Sequence, residues 1–96
     1  MNFEIAPKET EIRANWYDAK LYCFALNIVG KTGWRLPTID ELNAIYQSEN
    51  DLEPDGYWSS TENDDGGAFV KYFFDGYQYS GLKNSGHGSV RAIRTI

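Results

Sequence analysis

Thr38 and Glu41 stand three residues apart at the head of "TIDELNAIYQ", directly after "WRLP". This spacing is a capping box. The threonine hydroxyl can accept from the backbone N–H of residue 41, and the glutamate can reach back to the N–H of residue 38. Pro37 fixes the turn just before it. A helix therefore starts here, with Leu42, Ile45 and Tyr46 as its expected buried stripe. The chain cannot be all-β, and what lies on either side decides the rest.

Upstream, "NWYDAKLYCFALNIVG" has a second helical pattern. Asn15 is a good N-cap, and Asp18 lies in the first turn, where the helix dipole favours an anion. Ala19, Tyr22, Cys23, Leu26 and Val29 recur on one face, and Gly30 is a natural stop. Before it, "NFEIAP" alternates and ends at Pro7, as a short edge strand would. Residues 8–14 read as a polar connection.

Downstream the period changes. "SENDLEPDG" is a polar loop, and "YWSST" and "AFVKYFF" are β-prone. Asp75-Gly76 suits a tight hairpin into "YQYS". "GLKNSGHG" reads as loop and "SVRAIRTI" as one closing strand. The order predicts an α+β fold in which two helices pack on a twisted antiparallel sheet. At 96 residues the chain has room for one domain, residues 1–96.

The net charge of −5 is unevenly spread. No Lys or Arg lies between Arg35 and Lys71. That stretch holds Asp40, Glu41, Glu49, Asp51, Glu53, Asp55, Glu62, Asp64 and Asp65. Such a middle disfavours contact with nucleic-acid phosphates and favours a basic partner or a cation. No apolar run is long enough to cross a membrane, and no signal peptide is visible. With Cys23 the single cysteine, this predicts a cytoplasmic setting, that of a host cell if the protein is phage-encoded; a place on a virion surface would look the same.

"W-x-D-A" at Trp16, Asp18 and Ala19, then Cys23, "GWRLPT" with Glu41 and Leu42, "YWSST", Ala68 and Val70, and "VR-x-x-R" at Val90, Arg91 and Arg94 form a series. The series resembles the C-terminal domain family of the Legionella collagen-like protein. The resemblance implies a compact C-type-lectin-like fold and a binding role, including adhesion to sulfated glycans, rather than chemistry. Members often carry a second cysteine, in "VRCVR", that can pair with the one in the first helix. Ala92 stands there in this chain, so Cys23 is expected to be an unpaired core residue.

Residues 51–62 carry Asp51, Glu53, Asp55, Gly56 and Glu62 at positions 1, 3, 5, 6 and 12 of a calcium loop. The helix that should follow such a loop is missing. "EPD" at residues 53–55 is similar to a lectin sugar-calcium motif, but its "WND" companion is absent. No metal and no cofactor is expected. No catalytic residue is expected either. Cys23 sits on an apolar helical face, and His87 lies alone in a "GHG" loop. Trp34 and Trp58 read as core aromatics. Arg35 reads as a partner for an aromatic face or a carboxylate.

"FVKYFFDGYQY" concentrates six aromatics. Alternation sets Phe69, Lys71 and Phe73 against Val70, Tyr72 and Phe74. One face packs on the helices. The other, with Tyr77 and Tyr79, is either exposed or covered by another part of the sheet. The expected function is a non-catalytic protein-interaction module: a phage or mobile-element inhibitor whose acidic surface masks a basic, nucleic-acid-binding surface of a host protein. Its expected contact residues are Glu53, Asp55, Glu62, Asp64, Asp65, Tyr77 and Tyr79. The alternative is a lectin-like module that binds a glycan or a receptor.

Overall fold

A computed structural model describes residues 2–63, 66–84 and 87–96. In chain order these form β1 (Phe3–Ile5), a 3-10 turn (Lys8–Thr10), β2 (Ile12–Ala14), α1 (Trp16–Ala25), β3 (Trp34–Arg35) and α2 (Ile39–Tyr46). There follow β4 (Gly56–Glu62), β5 (Gly67–Tyr72), β6 (Gln78–Leu82), β7 (Gly88–Val90) and β8 (Ile93–Thr95). The fold is α+β with two helices, as the sequence predicts.

The strands make two sheets rather than one. A three-stranded sheet runs β1-β8-β3, and a five-stranded sheet runs β2-β7-β4-β5-β6. All pairings are antiparallel except that of β4 with β7, where Tyr57 lies opposite Ser89. The two ends of the chain link the sheets. β1 pairs β8 and β2 pairs β7, so both termini change sheet side by side.

Four local expectations are corrected. The polar connection of residues 8–14 holds the 3-10 turn and β2. The first helix stops at Ala25. Leu26 caps it in extended backbone, and Val29 and Gly30, both at positive φ, turn the chain between Ile28 and Lys31. Val29 consequently leaves the apolar face and is 98% exposed. β6 runs on into the expected loop as far as Leu82. The closing segment breaks at Arg91 and Ala92, and its halves belong to different sheets.

Arg91 explains the break. Its side chain is 2% exposed, and Nη1 donates to Ala6 O at 3.2 Å, while the Ala6 N–H donates to Ala92 O at 2.9 Å. The guanidinium thereby pins the crossing point of the two terminal segments.

Two apolar clusters flank the five-stranded sheet. Trp16, Ala19 and Cys23 of α1 join Trp34, Leu36, Trp58, Val70 and Val90. Leu42 and Ile45 of α2 join Tyr57 and Ile93. Tyr46 lies at the rim and is partly exposed. Each tryptophan satisfies its indole N–H on a backbone carbonyl: Trp16 on Ser59, Trp58 on Ala14 and Trp34 on Lys31. Large rings are thus buried without orphaned donors.

Candidate interaction surface

The hairpin of β5 and β6 is built from its turn outward. The Gly76 N–H donates to Tyr72 O at 2.8 Å, and the Tyr72 N–H donates to Tyr77 O at 2.7 Å. Asp75 Oδ1 accepts from the Tyr77 N–H at 2.9 Å. Gly76 has a φ of 79°, and a Cβ there would come within 2.9 Å of the Tyr46 ring, so glycine is required twice over. Beneath the turn, Lys71 Nζ donates to Gly76 O at 2.8 Å and lies 4.8 Å from the Tyr46 ring centre. Phe73 wedges edge-on between Tyr46 and Tyr57.

With Phe73 and Lys71 held inward against α2, their neighbours point out. The second face divides. Val70 is covered, and Trp58 beside it is buried. Towards the turn the same face opens, with Phe74 76% exposed, Tyr77 63% exposed, and Tyr72 and Tyr79 partly exposed. Tyr77 and Tyr79 stack at 6.3 Å with their planes 18° apart. Tyr72 contacts both Tyr79 and Phe74 at ring-centre distances near 6.5 Å. Burial raises the Tyr79 phenol, and the neighbouring Tyr72 adds to the shift. Gly56 leaves room for that phenol, since a Cβ there would lie 2.9 Å from Tyr79 Oη.

The acidic candidates are dispersed and partly neutralised. Glu53 pairs with Lys8 at 2.5 Å. Glu62, at the far end of β4, pairs with Lys83 at 2.6 Å, and this bond lowers its pKa. Asp55 borders the hairpin base, where its carbonyl accepts from the Phe73 N–H at 2.9 Å. Among the described residues no cation pairs with the Asp55 side chain. Asp64 and Asp65 lie outside the described residues. Tyr77 and Tyr79 are thus brought together, with Tyr72 and Phe74 as neighbours that the residue alternation could have nominated.

The calcium-like stretch has other employment. Asp51 Oδ1 accepts from Arg91 at 2.8 Å, and this bond lowers its pKa. Glu53 faces Lys8. Tyr57 Oη donates to Glu11 Oε1 at 2.6 Å and accepts from the Glu53 N–H at 2.8 Å. Among the described residues no three His, Cys, Asp or Glu side chains are grouped as a metal site. Cys23 is buried, and burial pushes its thiol up to about 12. His87 is exposed, and its carbonyl accepts from Arg13 at 3.0 Å. Arg35 pairs with a carboxylate, making two 2.8 Å bonds to Glu41.

The two motif segments are joined in space. The Ser60 N–H donates to Pro37 O at 2.8 Å, and Thr61 Oγ1 accepts from the Ile39 N–H at 3.0 Å. "WRLPT" thus sets the start of α2, and "YWSST" completes it. The class is a small α+β domain whose terminal segments join two sheets. Among the described residues no helix is long and apolar enough to cross a membrane. The Lcl C-terminal domain family matches residues 4–94, and the chain belongs to that family. No curated protein matches the chain.

Proposed function

We propose that the chain is a non-catalytic protein-interaction module on a C-type-lectin-like scaffold, binding through the aromatic end of the β5–β6 hairpin. The observation that carries this reading is the cluster of Tyr72, Phe74, Tyr77 and Tyr79. Four rings touch one another at the surface while Phe73 and Lys71 anchor the strand from below. Clustered aromatics on a rigid support are typical of interface hot spots, because they bury much area and lose little side-chain freedom.

The partner that fits is a protein with a basic surface. The chain is net negative, and its middle is depleted of cations. Asp55 lies at the base of the hairpin, and Asp75 sits at its tip. The carboxylates speed encounter, and the aromatics hold the complex. A basic surface of this kind is often one that binds nucleic acid. A cytoplasmic phage or mobile-element inhibitor that masks such a surface is the role this proposal favours.

A glycan is the second reading, favoured by the near-parallel Tyr77 and Tyr79 rings, which offer a stacking surface for a sugar. One experiment separates the two. Bait protein and a Tyr72→Ser/Tyr77→Ser/Tyr79→Ser variant are used to capture host proteins, with and without added salt, and both are applied to immobilised glycans. A salt-sensitive protein retained by the parent alone supports the interaction module. Retention of sulfated or neutral glycans alone, lost in the variant, replaces it with the lectin reading.

A further inference from the structure

β6 is an outer strand of the five-stranded sheet, hydrogen-bonded to β5 alone. The Tyr72–Tyr77 hydrogen bond sets the alternation along it. With Val70 opposite Tyr79 and Ala68 opposite Gly81, residues 77, 79 and 81 turn their backbone groups to β5. Gln78, Ser80 and Leu82 turn theirs outward, and among the described residues no other segment takes up those groups. Such an edge is a template for another strand. Proteins usually guard it with lysine, proline, a bulge or a covering element. From Gly76 to Leu82 there is no charged residue and no proline, and β6 pairs with β5 in unbroken register.

The geometry points to a second copy of this chain as the occupant, pairing antiparallel through β6 so that two five-stranded sheets become one. The strand is self-complementary about Ser80. With Ser80 opposite Ser80 of the second copy, Gln78 falls opposite Leu82. These three pairs are all of outward-facing residues, and each exchanges two backbone bonds, about six in total. On one face Gln78 of the second copy covers Leu82, which is otherwise 63% exposed. On the other, each Tyr79 lies across from Gly81, where the Trp58 ring fills the place a side chain would take. The two Tyr79 rings then flank the twofold axis, and the stacked Tyr77–Tyr79 pairs continue from one copy into the other.

Charge selects this edge for self-association. Two copies of a chain with net charge −5 repel, but at this strand no like charges meet. Asn63 donates to Ser80 Oγ, which occupies the serine side chain and not its outward backbone. Pairing uses that edge and leaves the outer faces of Tyr72 and Phe74 open, so the inference does not rest on the proposed partner.

Sedimentation of the full chain alone, from micromolar to millimolar concentration, tests it. A concentration-dependent monomer–dimer equilibrium is expected. Gln78→Lys/Leu82→Lys puts like charges directly opposite in this register and should weaken dimerisation by about tenfold or more. Gln78→Glu/Leu82→Glu should do the same, and an equimolar mixture of the two should restore dimers. Circular dichroism checks that each remains folded. If either does not, Ser80→Pro, which removes an outward N–H, gives the same prediction. A parent that stays monomeric throughout, a dimer that survives the substitutions, or a mixture that fails to recover overturns the inference.

Discussion

Arg91 Nη1 donates to Asp51 Oδ1 at 2.8 Å across a separation of 40 residues. Nε of the same guanidinium donates to Glu11 Oε2 at 3.0 Å. One buried cation thus ties the crossing termini to the loop before β4. Removing it strands Glu11, whose side chain is largely buried, and frees the crossing point. Arg91→Met should cost about 3–5 kcal/mol. Asp51 is the outer, well-exposed member, so Asp51→Asn should cost only about 0–1 kcal/mol. Urea unfolding of the two variants checks the asymmetry; equal costs would show that the pair acts as one exposed bridge.

The same bonds bear on calcium. Asp51, Glu53 and Glu62 are the first, third and twelfth residues of the calcium-like pattern, and each is bound to a cation from a distant segment. A calcium ion would have to displace Arg91, Lys8 and Lys83. Thermal unfolding and Trp58 fluorescence should therefore be unchanged by added calcium. A saturable stabilisation at micromolar calcium is the contrary result.

Glu41 links the helix cap to β3. It accepts two bonds from Arg35 and one from the Thr38 N–H at 2.8 Å. The Arg35 bonds, reinforced by the Thr38 N–H, bring its pKa from 4.5 down to about 2. A depressed carboxylate contributes stability that is complete above its unfolded value and disappears as pH falls through the folded one. The loss should therefore run from about pH 4.5 to pH 2. Arg35 is more than one-third exposed, which limits the contribution to about 1–2 kcal/mol. In Glu41→Gln this part of the acid dependence should disappear. An unaltered acid profile would assign the loss to other carboxylates.

Cys23 packs with Ala19 and Trp16 in the α1 cluster, and its thiol stays protonated at neutral pH. Thiol reagents should label it only on unfolding. Cys23→Ser should cost about 1–3 kcal/mol, the penalty of a buried hydroxyl without a partner. Rapid labelling of the native protein would contradict this.

Local chemistry was readable in the sequence where donor and acceptor lie within one turn. The Thr38–Glu41 box and the Asn15 cap, which accepts from the Asp18 N–H at 2.8 Å, form as their spacing predicts. Arg91 was hidden because its partners lie 80 and 40 residues away. The only local hint was a charged residue within the β-branched run "SVRAIRTI", where the strand in fact breaks. The end of α1 was missed because Leu26 and Val29 keep helical spacing, while the turn at Val29 and Gly30 overrides it. On the hairpin, alternation gave the two faces. It could not reveal that Trp58 and the glycines fill one end of the second face and leave the other open.

The roles of charge and aromatic rings separate kinetically once a protein partner is in hand. Neutralising Asp55, Asp64 and Asp65 as Asn, and Glu53 and Glu62 as Gln, should leave the fold intact. The Lys8–Glu53 and Lys83–Glu62 bridges include well-exposed groups, and solvent-screened bridges of this kind contribute little to stability. Association with a basic surface should slow, and its dependence on salt should flatten, because long-range attraction acts before contact. Tyr77→Ala and Tyr79→Ala should act later. Each removes a ring from the stacked pair, so the dissociation rate should rise while association stays near that of the parent. Rate constants at two salt concentrations decide between the terms. If the multiply neutralised variant associates as fast as the parent, the acidic surface does not steer the complex. If the tyrosine variants also dissociate no faster, the hairpin is not the contact.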